Sequence, residues 1–143
     1  MKNAWMFVFT AALLLSVGAA SLRADSFYQV RANIPFGFMV GSEAFPSGAY
    51  TVARVGDGVS ALVLRSSDGR KSVAFLTIGT YSARAREKAS LVFNRYGDQY
   101  FLNEVWTVGD TTGRQLIPSR SERELSLAMN EAVPQVVAIA AAR

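Results

Sequence analysis

Apolar residues occupy every second position of residues 30–40. A period of two is typical of a β-strand that buries one face. Pro35 lies inside this run and cannot donate a hydrogen bond to a neighbouring strand, so the pattern predicts an edge strand or a bulge there. Turn-forming residues fill positions 41–48, and a second strand is predicted over residues 50–53.

Regular turn signals divide the next part of the chain, and each places a glycine beside an aspartate: residues 56–58, 67–69, 96–98 and 109–110. Runs rich in β-forming residues lie between them, at 59–65, 72–78, 90–95 and 100–108. This spacing predicts an antiparallel meander that forms a small sandwich or barrel. The longest irregular connection is predicted over residues 79–88.

The run at residues 100–108 is apolar on both faces of the predicted strand. Strict alternation places Tyr100, Leu102 and Trp106 on one face, and Phe101 and Val105 on the other. Such a strand is expected to be central in its sheet or covered on its second side.

A helix is predicted over about residues 120–133, where it can supply this cover. Residues 119–122 and 121–124 form two overlapping capping boxes, in which a serine and a glutamate satisfy the free amides of the first turn. Pro134 cannot continue a helix, which predicts the end near residue 133. The apolar stripe of the helix comprises Leu125, Ala128, Met129 and Ala132. The tail at residues 136–142 fits a docked helix turn, an added strand or a frayed end.

Residues 1–24 have the pattern of a secretory signal peptide. Lys2 gives a short basic start, residues 4–17 are apolar, and small residues follow. The apolar stretch is shorter than the roughly 20 residues of a membrane helix, which favours cleavage near Ser21 or Asp25 over an uncleaved anchor. No stable transmembrane segment is expected after cleavage. The predicted destination is the periplasm, the outer-membrane surface or the extracellular medium.

Cleavage leaves residues 25–143, a length typical of one domain. We expect an antiparallel β domain over residues 25–118, with the C-terminal helix and apolar tail of residues 119–143 packed on it. The whole chain has 15 Lys and Arg against 11 Asp and Glu, and two of the basic residues lie in the signal peptide. The remaining chain has nearly equal numbers of basic and acidic residues and no run of basic residues, which argues against nucleic-acid binding.

The chain contains no cysteine and no histidine. This composition excludes disulfides, lipoprotein acylation, zinc sites built from these residues, and Ser-His-Asp or Cys-His catalysis. The prediction is therefore a protein without a metal site, without a cofactor and without catalytic residues.

Two kinds of hydrolase remain as alternatives. A pair of carboxylates could act as in glycosidases, but most aspartates lie in turns and Glu122 and Glu124 are assigned to the helix start. Glu104 is less explained, and Arg95 on the preceding strand is its predicted partner. A Ser-Lys nucleophile would need Lys71 or Lys88 to meet a serine in the fold, because no Ser-x-x-Lys spacing occurs.

The interpretation from sequence is an exported, non-enzymatic binding or envelope-associated structural module, whose partner is an unknown protein or envelope component. Its candidate binding face is the hairpin tip, which gathers charge and an aromatic ring on a loop held by two strands; the alternative is that the tip only shapes a tight turn. A further alternative is a barrel that carries an apolar ligand. The residues of the hairpin tip are Asn94, Arg95, Tyr96 and Asp98, and those of the predicted interior are Phe36, Phe38, Leu62, Leu64 and Leu76.

Four segments carry a resemblance to a known group of proteins: residues 32–41, 45–52, 91–102 with Val105 and Trp106, and 119–125. Together they resemble a family of uncharacterised exported proteins of acidobacteria and related soil bacteria. The resemblance implies a signal peptide and a β-rich domain. It implies no activity and no catalytic residue.

Overall fold

The computed structural model describes residues 29–58, 60–130 and 134–142, and the predicted signal peptide of residues 1–24 lies outside them. The described chain is mainly β, with one α-helix near its C-terminal end, as the sequence predicts. The strands are β1 (Gln29–Ile34), β2 (Phe38–Val40), β3 (Glu43–Phe45), β4 (Gly48–Arg54), β5 (Ala61–Ser66), β6 (Ser72–Tyr81), β7 (Ala89–Tyr96), β8 (Gln99–Trp106), β9 (Thr112–Leu116) and β10 (Gln135–Ala141). The helix α1 spans Arg120–Ala128.

The strands form a mixed, largely antiparallel sheet that is not closed. Its order is β1-β4-β5-β6-β9-β8-β2-β3, while β7 joins β8 to β10. The one parallel pairing in the described residues joins β2 to β8 through Met39 and Phe101. Beyond the named strand pairs, Arg31 of β1 and Ala142 exchange two backbone hydrogen bonds of 2.9 and 2.8 Å.

The core lies between the inward faces of these strands. Alternate residues of β1, β4 and β5 point into it, and β7 supplies Leu91 and Phe93 from the other side. Phe38 contacts the rings of Phe45, Tyr50 and Phe93, with centroids 5.1 to 5.6 Å apart. Full burial of one large aliphatic or aromatic side chain contributes about 1.5–3 kcal/mol, so this core supplies the main stabilisation.

Pro35 divides the first predicted strand into two. β1 ends at Ile34 and β2 begins at Phe38, so the two strands have different neighbours. β1 pairs with β4, whereas β2 pairs with β3 and β8. Pro35 has no N–H to donate to a neighbouring strand, and the chain bends at Phe36 before β2 begins.

One interior position was predicted wrongly. Phe38, Leu62 and Leu64 are buried in the core and Phe36 packs against it, but the side chain of Leu76 is 71% exposed. Leu76 pairs with Ala61, whereas the preceding residue, Phe75, pairs with the buried Leu62. Neighbouring residues of a strand face opposite sides, so Leu76 lies on the outer face.

A bulge in β8 alters the face on which its later residues lie. Val92 pairs with Glu104 while the next residue, Phe93, pairs with Leu102, which leaves Asn103 as the extra residue. An extra residue reverses the alternation beyond it. Leu102 and Val105 therefore both join the core, and Trp106 lies on the opposite face from Leu102, contrary to the prediction.

Strand β9 was not predicted, and its sequence Thr-Gly-Arg-Gln-Leu has no alternating apolar pattern. The strand is held between β6 and β8, and Gly113 gives the Trp106 ring room to lie against it. β6 also continues to Tyr81, which shortens the predicted irregular connection to residues 82–88.

Helix α1 begins as predicted, with Ser119 as its N-cap, but ends earlier. Met129 caps the C-terminus and Asn130 has a φ of 54°, a left-handed conformation that stops the helix before Pro134. Of the stripe, Ala132 lies outside the described residues. The tail that follows forms β10, the added strand among the three alternatives. Within the described residues, no helix has the length and hydropathy that a membrane span requires.

Candidate functional site

The second face of β7 carries polar side chains that α1 covers. Leu91 and Phe93 point into the core, so Asn94 and Tyr96 point to the opposite side of the sheet. The β7–β8 hairpin turns at Gly97, which has a φ of 59°. A Cβ at Gly97 would lie 3.2 Å from the terminal methyl carbon of Met129, so the end of α1 lies close to this turn.

Glu122 joins the helix to this face. Its Oε1 accepts a hydrogen bond of 3.1 Å from the Asn94 side-chain amide and one of 3.3 Å from the Tyr96 hydroxyl. Glu122, Asn94 and Tyr96 are 5%, 8% and 6% exposed. Glu122 is also the buried residue of α1, so a carboxylate, rather than an apolar stripe, is the inward group of the helix.

A pocket of about 310 Å³ opens beside this cluster. The side chain of Leu127 is 80% exposed and forms one wall. We call this cavity the α1 pocket, and its lining residues are Tyr96, Pro118, Glu122, Arg123, Ser126 and Leu127. It combines a buried carboxylate with an aromatic ring and aliphatic surface, the composition of a small-molecule site.

The structure divides the four residues of the predicted binding face between different environments. Asn94 and Tyr96 lie under α1 and meet Glu122. Arg95 lies on the other face of β7, where its Nε donates to the Gly97 carbonyl at 2.7 Å and its guanidinium carbon lies 5.4 Å from the centre of the Tyr100 ring. Asp98 is exposed in the turn. The four residues therefore do not form one surface.

The sequence predicts that Glu122 belongs to a capping box, and the structure confirms the backbone part of this prediction but not the side-chain part. The Ser119 hydroxyl accepts a hydrogen bond from the Glu122 backbone N–H at 3.2 Å, as the box requires. The Glu122 carboxylate, however, turns inward to Asn94 and Tyr96 instead of back to the cap. The available signal was its spacing, because Glu122 precedes Leu125 and Met129 by three and seven residues and so shares their helical face.

Glu104 has a different partner from the one predicted. Its Oε2 accepts a hydrogen bond of 2.7 Å from the Trp106 indole N–H. Arg95 pairs with Tyr100 in the ladder and is not opposite Glu104. The Arg86 guanidinium carbon lies 4.2 Å from the centre of the Trp106 ring, and the Arg86 Nε is buried without a hydrogen-bond partner among the described residues.

A second cavity, a groove of about 720 Å³, lies between residues 46–50 and 66–71. The pKa of the Asp68 carboxyl is lowered by a hydrogen bond from the Ser66 hydroxyl and another from the Arg70 backbone N–H. Burial, together with the nearby Asp68 charge, raises the pKa of Tyr50. The Lys71 ammonium donates to the Ala44 carbonyl. Asp68 thus orders the β5–β6 turn.

Lys71 is not arranged as a Ser-Lys nucleophile. Besides contacting Ala44, its ammonium lies 4.5 Å from the centre of the Phe45 ring, so its described partners are a carbonyl and an aromatic ring. Among the described residues, no three of His, Cys, Asp and Glu are grouped closely enough to hold a metal ion.

Comparison of the chain with family models, with curated proteins and with solved structures found no match.

Proposed function

We propose that this protein is an exported, non-enzymatic binding module that takes a ligand into the α1 pocket. The observation that carries the proposal is the buried Glu122 carboxylate, which two side chains orient at the edge of an open cavity. Orientation by Asn94 and Tyr96 fixes the carboxylate before a ligand arrives, and such preorganisation lowers the entropic cost of binding.

A binding role without turnover is supported by the partners of the other polar groups. Asp68 bonds to Ser66 and to backbone in its own turn, and Glu104 bonds to Trp106. Glu124 forms an exposed ion pair with Arg120. These carboxylates have local structural partners, whereas a glycosidase pair flanks a shared cleft.

Export rests on residues 1–24. N-terminal sequencing of the protein released by a secreting bacterial host tests it, and the expected start is near Ser21 or Asp25. Recovery of intact Met1 in the membrane fraction would support an uncleaved anchor. An exported product would meet its ligand or partner, a protein or another envelope component, outside the cytoplasm.

Binding is tested by incubating the protein with a small-molecule extract of the producing cell's envelope, followed by native mass spectrometry. We expect an added mass on the wild type and its loss in Leu127→Arg, which fills the pocket. Leu76→Arg is the matched control, because Leu76 is also an exposed leucine but lies on the outer face of β6, and it should retain the added mass. A bound species released in altered chemical form would contradict the non-enzymatic proposal.

A further inference from the structure

Glu122 supplies the negative charge of the α1 pocket. Asn94 and Tyr96, which donate hydrogen bonds to it, do so with a neutral amide and a neutral hydroxyl. In residues 29–58, 60–130 and 134–142, no lysine or arginine lies within ion-pair distance of this carboxylate. The ion pair of α1, between Arg120 and Glu124, lies on its exposed side. A carboxylate taken out of water without a counter-ion is a strong attractor for a cation.

The walls of the pocket define the rest of the ligand. Pro118 and Leu127 present aliphatic surface, and Tyr96 also lines the cavity. Aromatic rings attract cations through their quadrupole, and aliphatic walls gain from contact with a hydrocarbon stem. A volume of about 310 Å³ is at the lower end for small-molecule sites, which limits the ligand to a few carbon atoms or a single ring.

We infer that the α1 pocket takes a small organic cation, a protonated amine on an apolar stem; this inference rests on the proposed binding function. The ammonium group hydrogen-bonds to Glu122 and lies near the Tyr96 ring, while the stem contacts Leu127 and Pro118. Arg123, an exposed residue at the rim, repels the ligand weakly and disfavours a second positive charge. The pocket therefore distinguishes amines from alcohols and carboxylates of the same shape.

The test compares three probes of similar shape by isothermal titration calorimetry: phenethylammonium, 2-phenylethanol and 3-phenylpropionate. The ammonium probe should bind about tenfold more tightly than the alcohol, because both partners of the ammonium–carboxylate hydrogen bond are charged, whereas the alcohol donates to the same carboxylate as a neutral group. The propionate should bind more weakly than either. Equal affinity for the ammonium and the alcohol would overturn the inference.

Two variants assign the preference to the pocket. Glu122→Gln keeps an oxygen that Asn94 and Tyr96 can donate to, so it should remain folded by circular dichroism while losing the preference for the ammonium. Glu124→Gln is the matched control, because Glu124 lies two residues away on the exposed side, and it should retain the preference. Retention in Glu122→Gln would refute the assignment. Arg123→Ala should strengthen ammonium binding, which gives a result even if Glu122→Gln fails to fold.

The outcomes separate this inference from the binding function itself. If envelope material binds at the α1 pocket but the probes show no preference for the ammonium, the ligand class is wrong and the binding function stands. If Leu127→Arg also leaves the added mass from the extract unchanged, the pocket is not the binding site and both proposals fail.

Discussion

Trp106 lies flat against Gly113 of the neighbouring strand. A Cβ at residue 113 would come within 2.6 Å of the indole ring, closer than nonbonded carbon atoms approach each other. Trp106 is buried, and its indole N–H is held by Glu104 on the same strand, so the ring cannot move away without losing that hydrogen bond. The glycine is therefore required by its neighbour and not by its own backbone conformation.

Gly113→Ala should lower the free energy of unfolding by about 1–3 kcal/mol, the usual cost of inserting a methyl group into a packed site. Urea denaturation followed by tryptophan fluorescence measures it. Gly58→Ala is the matched control, because a Cβ there would meet no atom within 4 Å, and its effect should stay within about 0.5 kcal/mol. Equal effects of the two changes would contradict the close contact with Trp106.

Tyr96→Phe removes the hydroxyl that donates to Glu122 and keeps the ring. We expect a loss of about 1–2 kcal/mol, since a buried carboxylate is left with one fewer donor. Thermal unfolding compared with Tyr81→Phe provides the control, because Tyr81 is exposed at the end of β6. A loss of the same size in Tyr81→Phe would show that the effect does not come from Glu122.

The two leucines at positions 64 and 76 should respond very differently to the same change. Leu64→Ala empties part of the core and should cost about 2–5 kcal/mol, whereas Leu76→Ala on the outer face should change stability by about 0.5 kcal/mol or less. Chemical denaturation of both variants tests whether Leu76 lies on the outer face of β6. A large loss in Leu76→Ala would restore the interior position that the sequence predicts.

The two serines at the helix start are also predicted to differ. Ser119→Ala should cost about 1 kcal/mol, because the Glu122 backbone N–H loses its acceptor. Ser121 lies inside the helix, and within the described part of the chain its hydroxyl contacts only that of Ser119, so Ser121→Ala should have a small effect. Helix content and the unfolding midpoint of each single variant separate the two capping boxes that overlap in the sequence.

Asp68 should make stability depend on pH in the acid range. Its pKa in the folded protein is lowered from the ordinary value of 3.8, chiefly by the Ser66 hydroxyl. A lowered pKa means that the ionised form is favoured by folding, so this stabilisation is complete above pH 3.8 and disappears as the pH falls through the folded-state value. The difference in unfolding free energy between wild type and Asp68→Asn should therefore shrink in acid. Ser66→Ala should weaken the same dependence, and a difference independent of pH would exclude this role of Asp68.

The sequence predicts the strands that alternate and fails where tertiary contacts decide. Residues 72–78 and 90–95 have clear β patterns, and both become strands. The segment containing Gly113 has no such pattern. The Trp106 ring of the neighbouring strand β8 fills the space beside Gly113, so β9 needs no side chain there. The bulge at Asn103 is invisible for a related reason, since the offset arises only when β7 and β8 pair.

The candidate site shows the same limit more sharply. Asn94 and Tyr96 were selected from the sequence for their place beside a turn, and the structure brings them together with Glu122. The sequence does not reveal Glu122 as their partner, because a glutamate three residues after a serine is already fully explained by a capping box. Local rules explain the backbone N–H of Glu122, while the direction of its carboxylate depends on a strand that lies 28 residues away in the sequence.

The two hydrogen bonds between Arg31 and Ala142 connect nearly the first and the last residues that the structure describes. Contacts between such distant parts of a chain form late in folding, because the intervening loop must be closed before they add stability. Ala142 directly follows β10, which pairs with β7, so both β1 and β7 lack one neighbour until the C-terminal segment arrives. If the chain is exported as we propose, this pairing of β1 can form only after the segment at Ala142 has crossed the membrane.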